Sequence, residues 1–138
     1  RPATSPPLVL CINQPMYVEV ANSSTLDPDG TLSYLTPTSS DALTDRSWAA
    51  AKTLWASDPR AGTVLIRGRQ LDGPLELRFD DPPVPELVLR PASPPAPGRW
   101  YDVPAYTRLR GPGCYAYQVD TSNSSSVIVF RASGPLIG

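Results

Sequence analysis

Apolar residues recur at period two along much of this chain, in short runs stopped by prolines, glycines or polar clusters. Met16, Val18 and Val20 fall on one side of an extended segment, with Tyr17 and Glu19 on the other. Leu75, Leu77 and Phe79 alternate with Glu76, Arg78 and Asp80 in the same way. Such alternation predicts strands with one buried and one wet face, as in antiparallel sheets. The clearest case is Cys114-Tyr-Ala-Tyr-Gln-Val-Asp120 and Val127-Ile-Val-Phe-Arg-Ala132 on either side of Thr121-Ser-Asn-Ser-Ser-Ser126. Gly111-Pro-Gly113 breaks the chain just before them, and the whole predicts a closing antiparallel hairpin. A second hairpin is predicted from residues 63–68 and 75–80, with Asp72-Gly73 as its tight turn.

Shorter strands are expected at 8–12, 31–35 and 87–90, and on both sides of Pro104, which marks an edge or a bulge. Asn22-Ser-Ser-Thr25 and Asp27-Pro-Asp-Gly30 read as turns, and a long polar loop runs to about Arg46. Residues 47–56 are ambiguous. Their alanines favour helix and Ser47 can cap it, yet Trp48 and Trp55 stand seven apart with little else apolar on their stripe. With β-like surroundings the segment reads as extended or irregular, one or two helical turns being the alternative. Seven to nine short strands with regular turn signals and no βαβ alternation predict an all-β antiparallel sandwich, with a small barrel second.

Composition sharpens this picture. Eighteen prolines against nine glycines, clustered between apolar runs, leave little room for a long helix. Residues 1–7 read as a proline-rich tether and 8–138 as a single domain. A formal charge of −1 supplies no electrostatic footprint for nucleic acid, and no run approaches the ~20 apolar residues of a membrane-spanning helix. The two cysteines, Cys11 and Cys114, are read as a disulfide rather than two buried thiols, which suits an oxidising compartment.

The stretch Gly113-Cys-Tyr-Ala-Tyr-Gln-Val119 through Val127-Ile-Val-Phe130 resembles the closing strands of immunoglobulin-like domains in secreted or envelope-anchored bacterial proteins, over about twenty residues. The resemblance implies an immunoglobulin-like shape and export, and assigns no functional residue. It departs from the family where Cys114 directly precedes Tyr115; family members place Tyr two positions before their second Cys. Cys11 also falls in what would be the first strand, so a Cys11–Cys114 bridge would not be the usual pin between sheet centres.

The chain contains no histidine, which removes histidine-based nucleophile pairs and ordinary zinc or copper sites. It has no phosphate-binding glycine loop, and Lys52 is its only lysine. No enzyme and no cofactor are expected. Asp27, Asp29, Asp80 and Asp81 offer oxygen ligands for calcium, but position 38 is Thr where a bidentate Glu is needed, so ordinary turns are expected. Asn22-Ser-Ser and Asn123-Ser-Ser match the glycosylation sequon and read as turns. Trp48, Trp55, Trp100, Tyr101 and Tyr106 are the candidate binding residues, either as anchors of a protein interface or as caps on the core. The expected function is a non-catalytic, exported structural or protein-interaction module of a bacterial cell envelope, through a protein partner or self-assembly. The alternative is a carbohydrate-binding module with exposed Trp platforms.

Overall fold

The computed structural model describes residue 11 and residues 21–23, 31–91 and 101–138. Nine strands form over these residues: β1 (Ala21–Ser23), β2 (Thr31–Ser33), β3 (Ala49–Ser57), β4 (Val64–Gln70), β5 (Arg78–Phe79), β6 (Leu87–Leu89), β7 (Tyr101–Leu109), β8 (Gly113–Asp120) and β9 (Ser125–Ser133). They make two packed sheets, ordered β1-β3-β7-β5 and β2-β9-β8-β4-β6, a β-sandwich. All pairings are antiparallel except β2 with β9, which run parallel. The closing hairpin is β8–β9, in register from Gly113↔Ala132 to Asp120↔Ser125. The expected strands at 8–12 and 16–20, the tether at 1–7 and the turn at 27–30 lie outside the described residues.

Period-two burial builds the interior. Ala49, Ala51, Thr53, Trp55 and Ser57 of β3 face inward, while Lys52 and Leu54 are exposed. Residues 49–56 are thus extended, since alternation across a strand buries every second side chain, and residues 47–48 are a bend leading into β3. Trp55 points into the core, whereas the Trp48 ring, just before β3, lies against Arg78 and Arg110. Tyr117 sits at the middle of the core, edge-on to Trp55 at 5.0 Å and stacked on Phe130 at 4.5 Å between centroids. Its hydroxyl is 2.7 Å from Thr107 Oγ1, which is 3.0 Å from Thr53 Oγ1, and Thr53 donates to the Ala105 carbonyl. A chain of hydroxyls thus ties the sheets together while satisfying polar groups that burial would otherwise penalise. Tyr115, near the start of β8, donates to the Gly111 carbonyl at 2.7 Å and locks the turn out of β7.

Three sequence expectations need correction. Residues 63–68 and 75–80 do not form a lasting hairpin. The chain turns back, with Gln70 donating to Leu75 and one bridge at Arg69↔Glu76, and then β5 crosses to pair with β7 in the other sheet. Gly68 explains the crossing: a Cβ there would lie 2.9 Å from both Leu77 methyls, so its absence lets Leu77 drop into the core and carry the chain across. Asn22 and Ser23, read as a turn, belong to β1, where Asn22 pairs with Ala56. Pro104 does not interrupt β7, which runs unbroken from Tyr101 to Leu109 with Pro104 opposite Leu54. The edge reading holds in part, because β5 covers only Thr107 and Arg108 on the other side of β7.

Gly68→Ala is expected to destabilise the fold by about 1–3 kcal/mol through overpacking, since the third neighbour is the rigid Ala116 carbonyl at 3.0 Å. Urea unfolding measures it, and a variant as stable as the parent would show that Leu77 relaxes freely.

Cys11 and Cys114 form a disulfide, with their Cα atoms 5.4 Å apart. Tyr115 points into the core and Cys114 to the opposite face of β8, so the bridge lies outside the sheet pair.

Candidate functional site

Side-chain alternation leaves Ala50, Lys52 and Leu54 on the outer face of β3, opposite Arg108, Tyr106 and Pro104 of β7. β7 pairs with β3 over residues 49–57, whereas β1 covers the other side of β3 only at 55–57. Among the described residues, no strand pairs with residues 50–54 on that side. The loop from Tyr34 to Trp48 links one sheet to the other past this bare stretch and stands off from it. The result is an open trough of about 540 Å³ between loop and strand edge, bounded by Tyr34, Leu35, Leu43, Ala50, Lys52 and Tyr106.

Both ends of the loop are fastened. At its start Tyr34 donates its amide to Ser133 and its hydroxyl to the Pro135 carbonyl at 2.8 Å, and burial pushes its pKa up to about 12. At its end stands Arg108, 0% exposed although it lies on the outer face. Its guanidinium donates to the carbonyls of Asp45, Trp48, Ala49 and Asp80 and faces the Asp81 carboxylate at 3.4 Å. Asp81 in turn accepts from the Thr44 amide and hydroxyl, both at 2.7 Å, and from the Asp45 amide. Arg108 can be buried because nearly every donor of its fork meets an acceptor. Asp80 has a positive φ of 64° and its carboxylate accepts from the Tyr106 amide, while the Asp81–Pro82 bond is cis. Of the two aspartates considered above as calcium ligands, Asp81 accepts from Thr44, Asp45 and Arg108, and Asp80 from the Tyr106 amide.

The Thr44 hydrogen bonds, then the Asp45 amide and Arg108, hold the Asp81 carboxyl below its ordinary range; Ser47 does the same for Asp45. A carboxyl whose folded pKa lies below its unfolded value of about 3.9 stabilises the fold fully above that value. The contribution is lost as pH falls through the folded value. Acid is therefore expected to loosen the end of the loop below about pH 4, and Asp81→Asn to flatten the acid limb of a stability–pH curve. Urea midpoints across that range check this; an unaltered acid limb in the variant would remove Asp81 from the account.

The candidate aromatic residues are not brought together. Trp55 is 0% exposed and inside the core, so it offers no ring face to a sugar or partner. Trp48 is 6% exposed, with the guanidinium of Arg78 4.9 Å and that of Arg110 5.3 Å from its ring centroid. Trp platforms are excluded at these two positions by burial and by those two cations. Tyr101 is half-buried at the far end of β7, opposite Ser57. Its hydroxyl, Ser57 Oγ and Trp55 Nε1 have no hydrogen-bond partner among the described residues. Tyr106 alone of the five borders the trough, and Trp100 lies outside the described residues.

Sequence reasoning missed the trough's loop side. One signal was available: Leu35 and Leu43 are large apolar residues in a mostly polar connection, and Leu35 is 84% exposed. Lys52 drew notice only as the single lysine of the chain. Here it stands where no described strand pairs with β3, and its surroundings suit recognition: main-chain groups, one ammonium, and aromatic and aliphatic side chains. No helix among the described residues is long and apolar enough to cross a membrane. No protein-family model matches the chain, and no curated protein or solved structure matches it.

Proposed function

We propose that this chain is a non-catalytic, immunoglobulin-like interaction module of a bacterial cell envelope, and that it holds its protein partner by strand addition. One observation carries the reading: among the described residues no strand pairs with β3 at residues 50–54 on the side away from β7, and this stretch borders an open trough of about 540 Å³. An unpaired edge presents main-chain donors and acceptors to an extended segment, and the trough leaves room for its side chains. The parallel pairing of β2 with β9 and the Tyr115–Gly111 lock support an immunoglobulin-like shape. β5, which joins one sheet before β6 joins the other, is a variation on that topology. The disulfide supports an exported location, since such bonds persist in oxidising compartments.

Site-specific photo-crosslinking in the source organism tests the reading. A crosslinker at Leu54, 37% exposed on this stretch of β3, is expected to give discrete protein adducts. The same group at Gln118, exposed on β8 with Arg67 and Val127 paired on either side, is expected to give none. Adducts from Gln118 alone, or from neither position, would overturn it.

A further inference from the structure

Resting on that reading, we infer that the trough selects an extended segment carrying an acidic residue beside Lys52, and that Lys52 rejects a second copy of the same edge. Lys52 is exposed and lies at the centre of residues 50–54, with which no described strand pairs on the side away from β7. The ion pairs among the described residues are Arg60–Asp58, Arg67–Asp120, Arg78–Glu76 and Arg108–Asp81, so its ammonium is uncommitted. Neither nearby carboxylate is paired with it: Asp41 accepts from the Thr38 amide at 2.6 Å, and Asp80 from the Tyr106 amide at 3.2 Å.

Symmetry decides between partners. Two copies pairing these edges antiparallel about a twofold axis, over the whole open stretch, must set residue 50 opposite 54 and Lys52 opposite Lys52. Like charges directly opposite each other destabilise a strand pair, and opposite charges stabilise it. A lysine at this point therefore guards against self-pairing while leaving the edge open to a strand with Asp or Glu at the matching position. The rest of the trough suits such a segment. Tyr106, directly across from Lys52 on β7, and Leu43 supply apolar surface for the neighbouring side chains.

The probe is a set of short, Gly-Ser-ended peptides of alternating Thr and Val around one central residue, which is Glu, Gln or Lys. Amide hydrogen exchange at residues 50–54 reads whether they bind there. The Glu peptide is expected to bind about fivefold or more tighter than the Lys peptide, and Lys52→Glu to reverse the order. Added salt should shrink the difference. Protection of 50–54 with equal binding of all three peptides makes Lys52 an edge guard only; it overturns this inference and leaves strand addition standing. No protection with any peptide removes strand addition too. Lys52→Thr gives a second readout, by light scattering: it is expected to strengthen self-association about fivefold or more. Unchanged self-association would overturn the argument from symmetry.

Discussion

Replacing Arg108 by Met is expected to lower the unfolding free energy by about 3–5 kcal/mol, the usual cost of removing one partner from a buried ion pair. The apolar stem is retained, so the loss falls on the guanidinium. Without it the carbonyls of Asp45, Trp48, Ala49 and Asp80 lose a donor and Asp81 loses its cation. Unmet acceptors in a dry site cost more than the hydrogen bonds had contributed net. Arg108→Lys should recover only part, because three donors on one nitrogen cannot span the acceptors met by a planar fork. Urea unfolding gives the magnitude, and amide exchange gives the place: protection should fall first at residues 44–49 and 80–81. A Met variant within about 1 kcal/mol of the parent would mean that water replaces the guanidinium readily. Arg108 would then not be what fastens the loop beside the trough.

Loss of the Cys11–Cys114 bridge is expected to have a comparable effect by a different route. The two residues are 103 positions apart, so the bridge restrains most of the unfolded chain. For a loop of that size the chain-entropy model gives about 4–5 kcal/mol. The Cys11→Ser, Cys114→Ser double variant, or reductant on the parent, should lower the urea midpoint accordingly while leaving the closing hairpin intact. Because the bridge lies on the outer face of β8, the stacked core of Tyr115, Tyr117 and Phe130 does not depend on it. Near-ultraviolet circular dichroism of the reduced protein is therefore expected to keep its aromatic signal below the transition. A stable double variant with an unshifted midpoint would assign the bridge a role other than stability.

The sequence was legible wherever the physics is local. The β8–β9 hairpin could be read because two alternating runs flank a short polar turn, and neighbours in sequence then become neighbours in the sheet. The Cys11–Cys114 pairing followed from an even count of two. The extended state of residues 49–56 had a usable signal in Trp48 and Trp55, which stand seven apart with little else apolar on their stripe. Of the two readings open for them, anchors of an interface or caps on the core, burial of both fits the second. The chain does reverse at Asp72-Gly73, but through a four-residue loop closed by Gln70 and Leu75 and not a two-residue tight turn, and the second strand of the expected hairpin leaves for the other sheet. Gly68 looks like a weak strand residue in isolation. Its meaning emerges only when Leu77 occupies the space that a Cβ would take.

The sequence by itself determined that the described residues fold as strands without a long helix, and which side faces inward where apolar and polar residues alternate, as at Leu77 and Phe79. Those properties follow from side-chain period and from the fixed φ and missing N–H of proline, both of which act within a few residues. Tertiary structure decided which sheet each strand joined, that an arginine and two tryptophans would be buried, and that no described strand would pair with the middle of β3 on one side. Each of these depends on residues far apart in the chain competing for the same space and the same hydrogen-bonding groups. No local pattern encodes the outcome of that competition. The trough beside Lys52 is one such outcome, formed where a loop joining the two sheets passes a strand edge that β1 covers only at its end.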